Sequence, residues 1–351
     1  MKTQNIDHLK GEIEFRKLLA EQHVTGKMLL PDYYDKEQHD RILLERINTT
    51  AADIRKLAAR DTVLSPFLEL GAERCQRSLV LANDFGATGC AVDISYHQLQ
   101  SAGHFARLFD KPKLPLRVCC DVNHLPFRNN SFPFAFCYEF LHHFPSPRPV
   151  LEEIYRVLAN GVFFFSEEPY KRPAIPLYKQ RHKIYSQATL RKSKMRRFLE
   201  KYISEDCCDE REHGIIENDD ITLRDWIKAL AVFDARTVHI SSIGNRIRTE
   251  LGAGITLKNL PNLLLGGGIS GICTKNPADA RVAVTNLADL FVCPDCLAGP
   301  TGSRTEQPPL EKTGDHLRCP RCGSSFPVIE DVTFLLPTRL MRELYPEFAG
   351  R

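Results

Sequence analysis

No run in this sequence approaches the roughly 18 consecutive apolar residues that a membrane-spanning helix requires. The opening stretch, Met1-Lys2-Thr3-Gln4-Asn5-Ile6-Asp7-His8, has no apolar core of a secretory signal, so the chain is expected to stay in the cytoplasm. Internal repeats and low-complexity tracts are also missing. Net charge is scarce: 47 Lys and Arg against 44 Asp and Glu leave +3, too little to argue for or against a nucleic-acid partner until its distribution is known. What is present is a globular mixture, 43% apolar and 26% charged, which excludes a fibre, a coiled coil and a disordered tail protein. A length of 351 residues suits a main domain plus a smaller module.

Twelve cysteines stand out in a chain expected to keep its thiols reduced. Eight are scattered: Cys75, Cys90, Cys119, Cys120, Cys137, Cys207, Cys208 and Cys273. Most sit in apolar runs and read as small buried hydrophobes. The other four form two knuckles, Cys293-Pro294-Asp295-Cys296 and Cys319-Pro320-Arg321-Cys322-Gly323, with 22 residues between them. Each C-x-x-C loop offers two thiolates to one metal, and four thiolates close a tetrahedral site with no open position. Zinc held by Cys293, Cys296, Cys319 and Cys322 is therefore expected to be structural, offsetting the small core of a module of about sixty residues. A redox C-x-x-C is the competing reading, and two such pairs are not what it needs.

Residues 1–60 carry apolar positions at helical spacing and predict a helical cap. Short apolar runs then alternate with helical stretches: strands are expected near 63–70, 88–93, 114–120, 134–138 and 161–166. The intervening helices fall near 76–83, 96–109 and 148–158. A helix over 223–232 and strands near 235–239 and 268–273 complete the series. This alternation predicts a mostly parallel sheet covered on both faces, with ligands at the carboxyl ends of its strands. The pattern breaks at 171–220. Lys171 to Lys201 holds eleven Lys or Arg against Glu200 alone, and Glu205 to Asp220 holds eight acids against Arg211. The two runs nearly cancel, as in a solvated charged lid. Tyr170, Tyr178 and Tyr185 among the basic residues leave open an anionic substrate or RNA. Residues 276–287 read as a linker.

At the first strand end, Phe67-Leu68-Glu69-Leu70-Gly71-Ala72 sets an acid two residues before a glycine, which lets the backbone turn sharply and approach a ligand. The dinucleotide signature G-x-G-x-x-G is lacking, because the later positions are Glu73 and Gln76. Asp93 ends the second strand, where a carboxylate accepts both hydroxyls of a ribose, and Cys119-Cys120-Asp121-Val122 ends the third. Leu125-Pro126-Phe127, Phe136-Cys137-Tyr138-Glu139-Phe140-Leu141-His142-His143-Phe144 and Leu151-Glu152-Glu153-Ile154-Tyr155-Arg156-Val157-Leu158 follow in order.

Together these blocks, over about 67–168, resemble the class I S-adenosylmethionine-dependent methyltransferases, in the branch that holds the small-molecule quinone-biosynthesis enzymes. The resemblance implies a Rossmann-like, doubly wound sheet of seven mostly parallel strands over 61–275. It implies cofactor contacts from Glu69, Gly71, Asp93, Ile94, Asp121, Val122 and Glu139, with Gly71 under the methionine part, Asp93 at the ribose and Asp121 at the adenine amino group. The family has G-x-G-x-G in the first turn where this chain has Gly71, Glu73 and Cys75, so the loop is expected to be reshaped or the cofactor weakly held. A sulfonium is an activated methyl donor, so the protein mainly aligns the acceptor and excludes water. A base is needed only if the acceptor must lose a proton, and His143, Tyr138 and Glu167 are the candidates. Leu141 to Phe144 recurs in the family as a strand-to-helix turn, which gives its histidines a structural alternative, and Glu167 and Glu168 bind substrate hydroxyls or cap the next segment.

The tail, 288–340, is similar to the small zinc-ribbon activating subunit of tRNA and protein methyltransferases, here fused to the catalytic domain. The leading expectation is methyl transfer to a small-molecule or biosynthetic-intermediate acceptor, possessing an anionic group if the basic run serves it. An RNA or protein methyltransferase that docks through the basic run and the ribbon is the second reading. A scaffold with no catalysis is the third.

Overall fold

The computed structural model describes residues 6–27, 29, 36–171, 178–182, 204–208, 221–242, 246–276, 286–298 and 308–348, with 178–182 and 204–208 described by backbone alone. Two helices come first, α1 (Ile6–Thr25) and α2 (Lys36–Ala58). Next come β1 (Phe67–Leu70), α3 (Gln76–Asp84), β2 (Gly89–Asp93), α4 (Tyr96–Leu108) and β3 (Leu116–Cys120). After them run β4 (Phe132–Tyr138), α5 (Arg148–Val157) and β5 (Leu158–Tyr170). Within the charged stretch, β6 (Tyr178–His182) and β7 (Ser204–Cys208) pair with each other in parallel. The rest of the charged lid expected over 171–220 lies outside the described residues, except Lys171, as do 277–285 of the expected linker. The main sheet resumes with α6 (Leu223–Leu230), β8 (Ala235–Ser242), β9 (Ile247–Leu251) and β10 (Gly267–Thr274). The cysteine-bearing tail adds β11 (Glu311–Thr313), β12 (His316–Arg318), β13 (Ser325–Ile329), β14 (Val332–Leu335) and α7 (Thr338–Leu344).

The seven-stranded, mostly parallel sheet expected from the sequence is replaced by a mixed sheet of 12 strands, in the order β11-β12-β13-β14-β3-β2-β1-β4-β5-β10-β8-β9. Its centre, β3-β2-β1-β4-β5, is parallel as expected. Beyond β5, β10 runs antiparallel to both of its neighbours, and β9 returns antiparallel along β8. At the other end β14 joins β3 in parallel, Val332 opposite Arg117 through Leu335 opposite Cys120. An uncovered edge strand with buried faces is an aggregation hazard, and β14, itself buried along its whole length, closes it. Alternation of strands and helices cannot foretell this pairing, because β14 lies more than 200 residues away in sequence.

Side-chain patterning explains the core. Every residue of β4 is buried. Pro133 has no N–H to donate, and the β4–β5 ladder shifts register between Phe132 and Phe134 to pass it. Helix α5 buries Val150, Leu151, Ile154 and Val157, one stripe at helical spacing. On the same helix Glu153 accepts from Leu125 N at 3.0 Å, while Arg156 donates to the carbonyls of Leu125 and Phe127, both at 2.7 Å. Two of the sequence blocks thus hold each other in place. Of the scattered cysteines, Cys75, Cys90, Cys119, Cys120, Cys137 and Cys273 are buried, and the side chains of Cys207 and Cys208 lie outside the described residues. No helix among the described residues is long and apolar enough to cross a membrane.

Candidate active site and four-cysteine cluster

A cavity of about 210 Å³ opens at the carboxyl ends of β1 to β4, roofed by α1 and α2. Gly71, Asp93, Ile94, Asp121, Val122, Tyr138, Glu139 and His143 all line it, together with Arg16, Arg46, Glu73, Arg74 and Arg77. The first turn keeps a left-handed backbone at three alternate positions: φ is +63° at Gly71, +46° at Glu73 and +60° at Cys75. The loop therefore retains the backbone that glycine would adopt, at a cost of about 1–2 kcal/mol for each non-glycine residue. Cys75 turns its side chain into the apolar cluster with Tyr96 and Leu99, and Glu73 turns into the cavity.

Asp93 is fixed by backbone donors: Glu73 N to Oδ2 at 2.9 Å and Ser95 N to Oδ1 at 2.8 Å. Burial raises its pKa to about 6 against those bonds. Each oxygen retains a lone pair, so the carboxylate suits a pair of ribose hydroxyls. Burial also works against charge on Asp121, but the bonds from His124 and Asn123 outweigh it and hold the carboxyl below its usual range. Two acids at adjacent strand ends, beside a glycine turn, form a set of acceptors that fits the hydroxyl and amino donors of an adenosine.

Glu69 stands apart from this cavity. It is 2% exposed and accepts from Ser78 N at 2.9 Å and from the Ser78 hydroxyl, holding the first turn of α3. Burial raises its pKa to about 8. Glu167 also lies outside the cavity lining, with φ +65° and its carboxylate 3.4 Å from Arg77. Burial raises its pKa. Tyr138 lies beneath the Arg77 guanidinium, 3.7 Å from the ring centre, and burial pushes its phenol well above the usual range, which suits a donor rather than a base. His143 packs against His142 with ring centres 4.3 Å apart and planes tilted by 34°. His142 Nδ1 is 2.9 Å from Glu168, which is wholly buried and also accepts from the N–H groups of Phe140, Leu141 and His142 at 2.8, 3.0 and 3.2 Å. Glu168 thus caps the turn that carries His143.

The arginines were not legible beforehand, because Arg16 and Arg46 sit on helices of mixed charge like any solvated residue. The one available signal was Glu73, a carboxylate in a glycine position that calls for counter-charge.

In the tail, the ligand atoms of Cys293, Cys296, Cys319 and Cys322 all lie within 4.8 Å of one another. Cys293 Sγ is 3.5 Å from Cys322 Sγ, and Cys296 Sγ 3.9 Å from Cys319 Sγ. A tetrahedron with Zn–S bonds of about 2.3 Å has edges of about 3.8 Å, so these thiols fit zinc.

Residues 68–166 match the family model described as a methyltransferase domain. The sterol methyltransferase-like protein 1 of Botryococcus braunii is 30% identical over 102 residues, which are 29% of this chain and 26% of that protein. The chain thus matches about a quarter of the length of that curated relative. A methyltransferase structure from Thermotoga maritima aligns with 74% of this chain and 100% of its own, at 12% identity and a TM-score of 0.40. The complex of the Haloferax volcanii Trm112 methyltransferase activator with its methyltransferase aligns with 68% of this chain and 94% of its own, at 17% identity and a TM-score of 0.39.

Proposed function

We propose that the chain is an S-adenosylmethionine-dependent methyltransferase acting on a small-molecule or biosynthetic-intermediate acceptor, with a structural zinc ribbon built into the same chain. The observation that carries this reading is the grouping of Gly71, Asp93 and Asp121 around one cavity, inside the segment that matches the methyltransferase domain. In this reading Asp93 takes the ribose hydroxyls, Asp121 with Val122 faces the adenine, and Gly71, Ile94 and Glu139 border the rest of the cofactor. Glu69 acts behind them, as a positioning residue for α3. S-adenosylmethionine supplies a methyl group already activated on a sulfonium, so the protein's task is alignment and exclusion of water. Tyr138 and His143 border the acceptor side of the cavity, where the phenol donates a hydrogen bond and His143 is the nearest candidate to accept an acceptor proton. Glu167, beside Arg77, serves the rim. Arg77, which also lines the cavity, favours an acceptor with an anionic group. Cys293, Cys296, Cys319 and Cys322 hold the zinc, which leaves no ligand position for catalysis.

The test incubates the purified full-length chain with methyl-labelled cofactor and cell extract, with and without nuclease or protease. Label in low-mass material is the expected result. Nuclease- or protease-sensitive label would move the acceptor to RNA or protein, and no label together with no cofactor binding would leave only a scaffold.

A further inference from the structure

Glu73 occupies a position for which glycine is the conformationally easy choice, and it holds a site of its own inside the cavity. Its Oε1 accepts from Arg16 at 3.1 Å, and its Oε2 from Arg46 at 3.1 Å and Gln76 at 3.0 Å. Arg74 stands 3.6 Å from Oε2. Arginines from α1, α2 and the glycine turn therefore converge on one carboxylate, which is a carboxylate receptor by geometry and by charge. The Glu73 N–H is pinned to Asp93, so the side chain turns without moving the loop that carries it.

Resting on the functional reading above, we infer that Arg16 and Arg46 form the receptor for the carboxylate at the amino-acid end of the cofactor, and that Glu73 fills this receptor until the cofactor displaces it. The exchange keeps both guanidiniums paired with a carboxylate, and Glu73, whose side chain is 20% exposed, swings towards solvent. A role for Glu73 as receptor of the cofactor's ammonium group fits less well. Its two oxygens already face the guanidiniums of Arg16, Arg46 and Arg74, which an arriving ammonium would have to displace. Glu73 thereby sets a threshold: a nucleoside thioether that lacks the amino-acid end gains nothing from displacing it.

Calorimetry on the full-length chain with S-adenosylhomocysteine and with 5′-methylthioadenosine, which has no amino-acid end, tests this. Glu73→Gln is expected to bind S-adenosylhomocysteine about tenfold more tightly and methylthioadenosine within about twofold of the parent, while Arg46→Gln binds the former about tenfold more weakly. Unchanged or weaker S-adenosylhomocysteine binding by Glu73→Gln, with the parent binding intact, overturns the inference and leaves the functional reading standing. If the parent binds neither ligand, both fall. Should Glu73→Gln fail to fold, Glu73→Asp, which withdraws the carboxylate by one methylene, is expected to tighten S-adenosylhomocysteine binding selectively, and no gain overturns the inference.

Discussion

A methyl group added to Gly71 would lie 2.2 Å from Phe140 Cδ2, at a φ of +63° that side chains disfavour. Gly71→Ala is therefore expected to lose about 1–3 kcal/mol of stability in urea melts and to abolish S-adenosylhomocysteine binding. Asp93 carries a pH signature. With its pKa raised to about 6, the carboxyl is ionised at neutral pH and takes up a proton as pH falls through about 6, losing acceptor capacity for ribose hydroxyls. The dissociation constant for S-adenosylhomocysteine should rise across that range, and Asp93→Asn should weaken binding and remove the inflection. Glu69 has the opposite consequence, on stability rather than binding. Its folded pKa of about 8 lies above the ordinary value near 4.3, so the folded chain holds a proton that the unfolded chain releases, and stability falls as pH rises between these values. Glu69→Gln should flatten that part of the profile in melts at pH 5 and 8. At this scale Gly71, Asp93 and Asp121 were legible because a turn and two strand ends announce themselves in local sequence. The direction taken by Glu69 was not, because pointing to Ser78 rather than to a ligand depends on how α3 packs.

Helices α1 and α2 meet at a pair of histidines, His23 and His39, whose rings stack 3.2 Å apart in the buried roof of the site. Burial first, and then the neighbouring Arg74, hold both well below the usual histidine range. Since the unfolded chain protonates near pH 6.5 and the folded one does not, this pair contributes stability that is full above about pH 6.5 and declines as pH falls. His39→Gln is expected to reduce the fall in melting temperature between pH 7 and 5. On the opposite side, the tail reaches the Asp93–Ile94 wall of the cavity through Tyr345. Its hydroxyl donates to Ile94 O at 2.7 Å and accepts from Tyr96 N at 3.0 Å, in a side chain with no exposed surface. Upstream, Asp295 of the first cysteine knuckle accepts from Thr338 N at 2.7 Å, anchoring the start of α7. Tyr345→Phe leaves that carbonyl and that N–H without their partner and should cost about 1–3 kcal/mol, read as a lower denaturation midpoint. The helical period made α1 and α2 visible in sequence, but not the face each gives to the cavity.

Over the whole molecule, the cysteine-bearing tail and the segment that matches the methyltransferase model share one core: Phe291, Cys293, Leu317 and Phe326 belong to the same apolar cluster as Leu68, Phe132 and Trp226. With zinc on the four thiols, as proposed above, a chelator should lower the melting temperature of the full chain in a single transition, because losing the tail uncovers the β3 edge. A calorimetric trace in which the domain transition stays unchanged would contradict this. The sequence by itself determined the alternation of strands and helices, the glycine turn with its two acids, and the four thiols at ribbon spacing, because each depends on residues near one another in the chain. Only the tertiary structure decided that the tail extends the main sheet, that Glu69 faces a helix, and that arginines from two early helices close around Glu73. Those outcomes depend on which distant surfaces meet, and spacing along a chain carries no record of that.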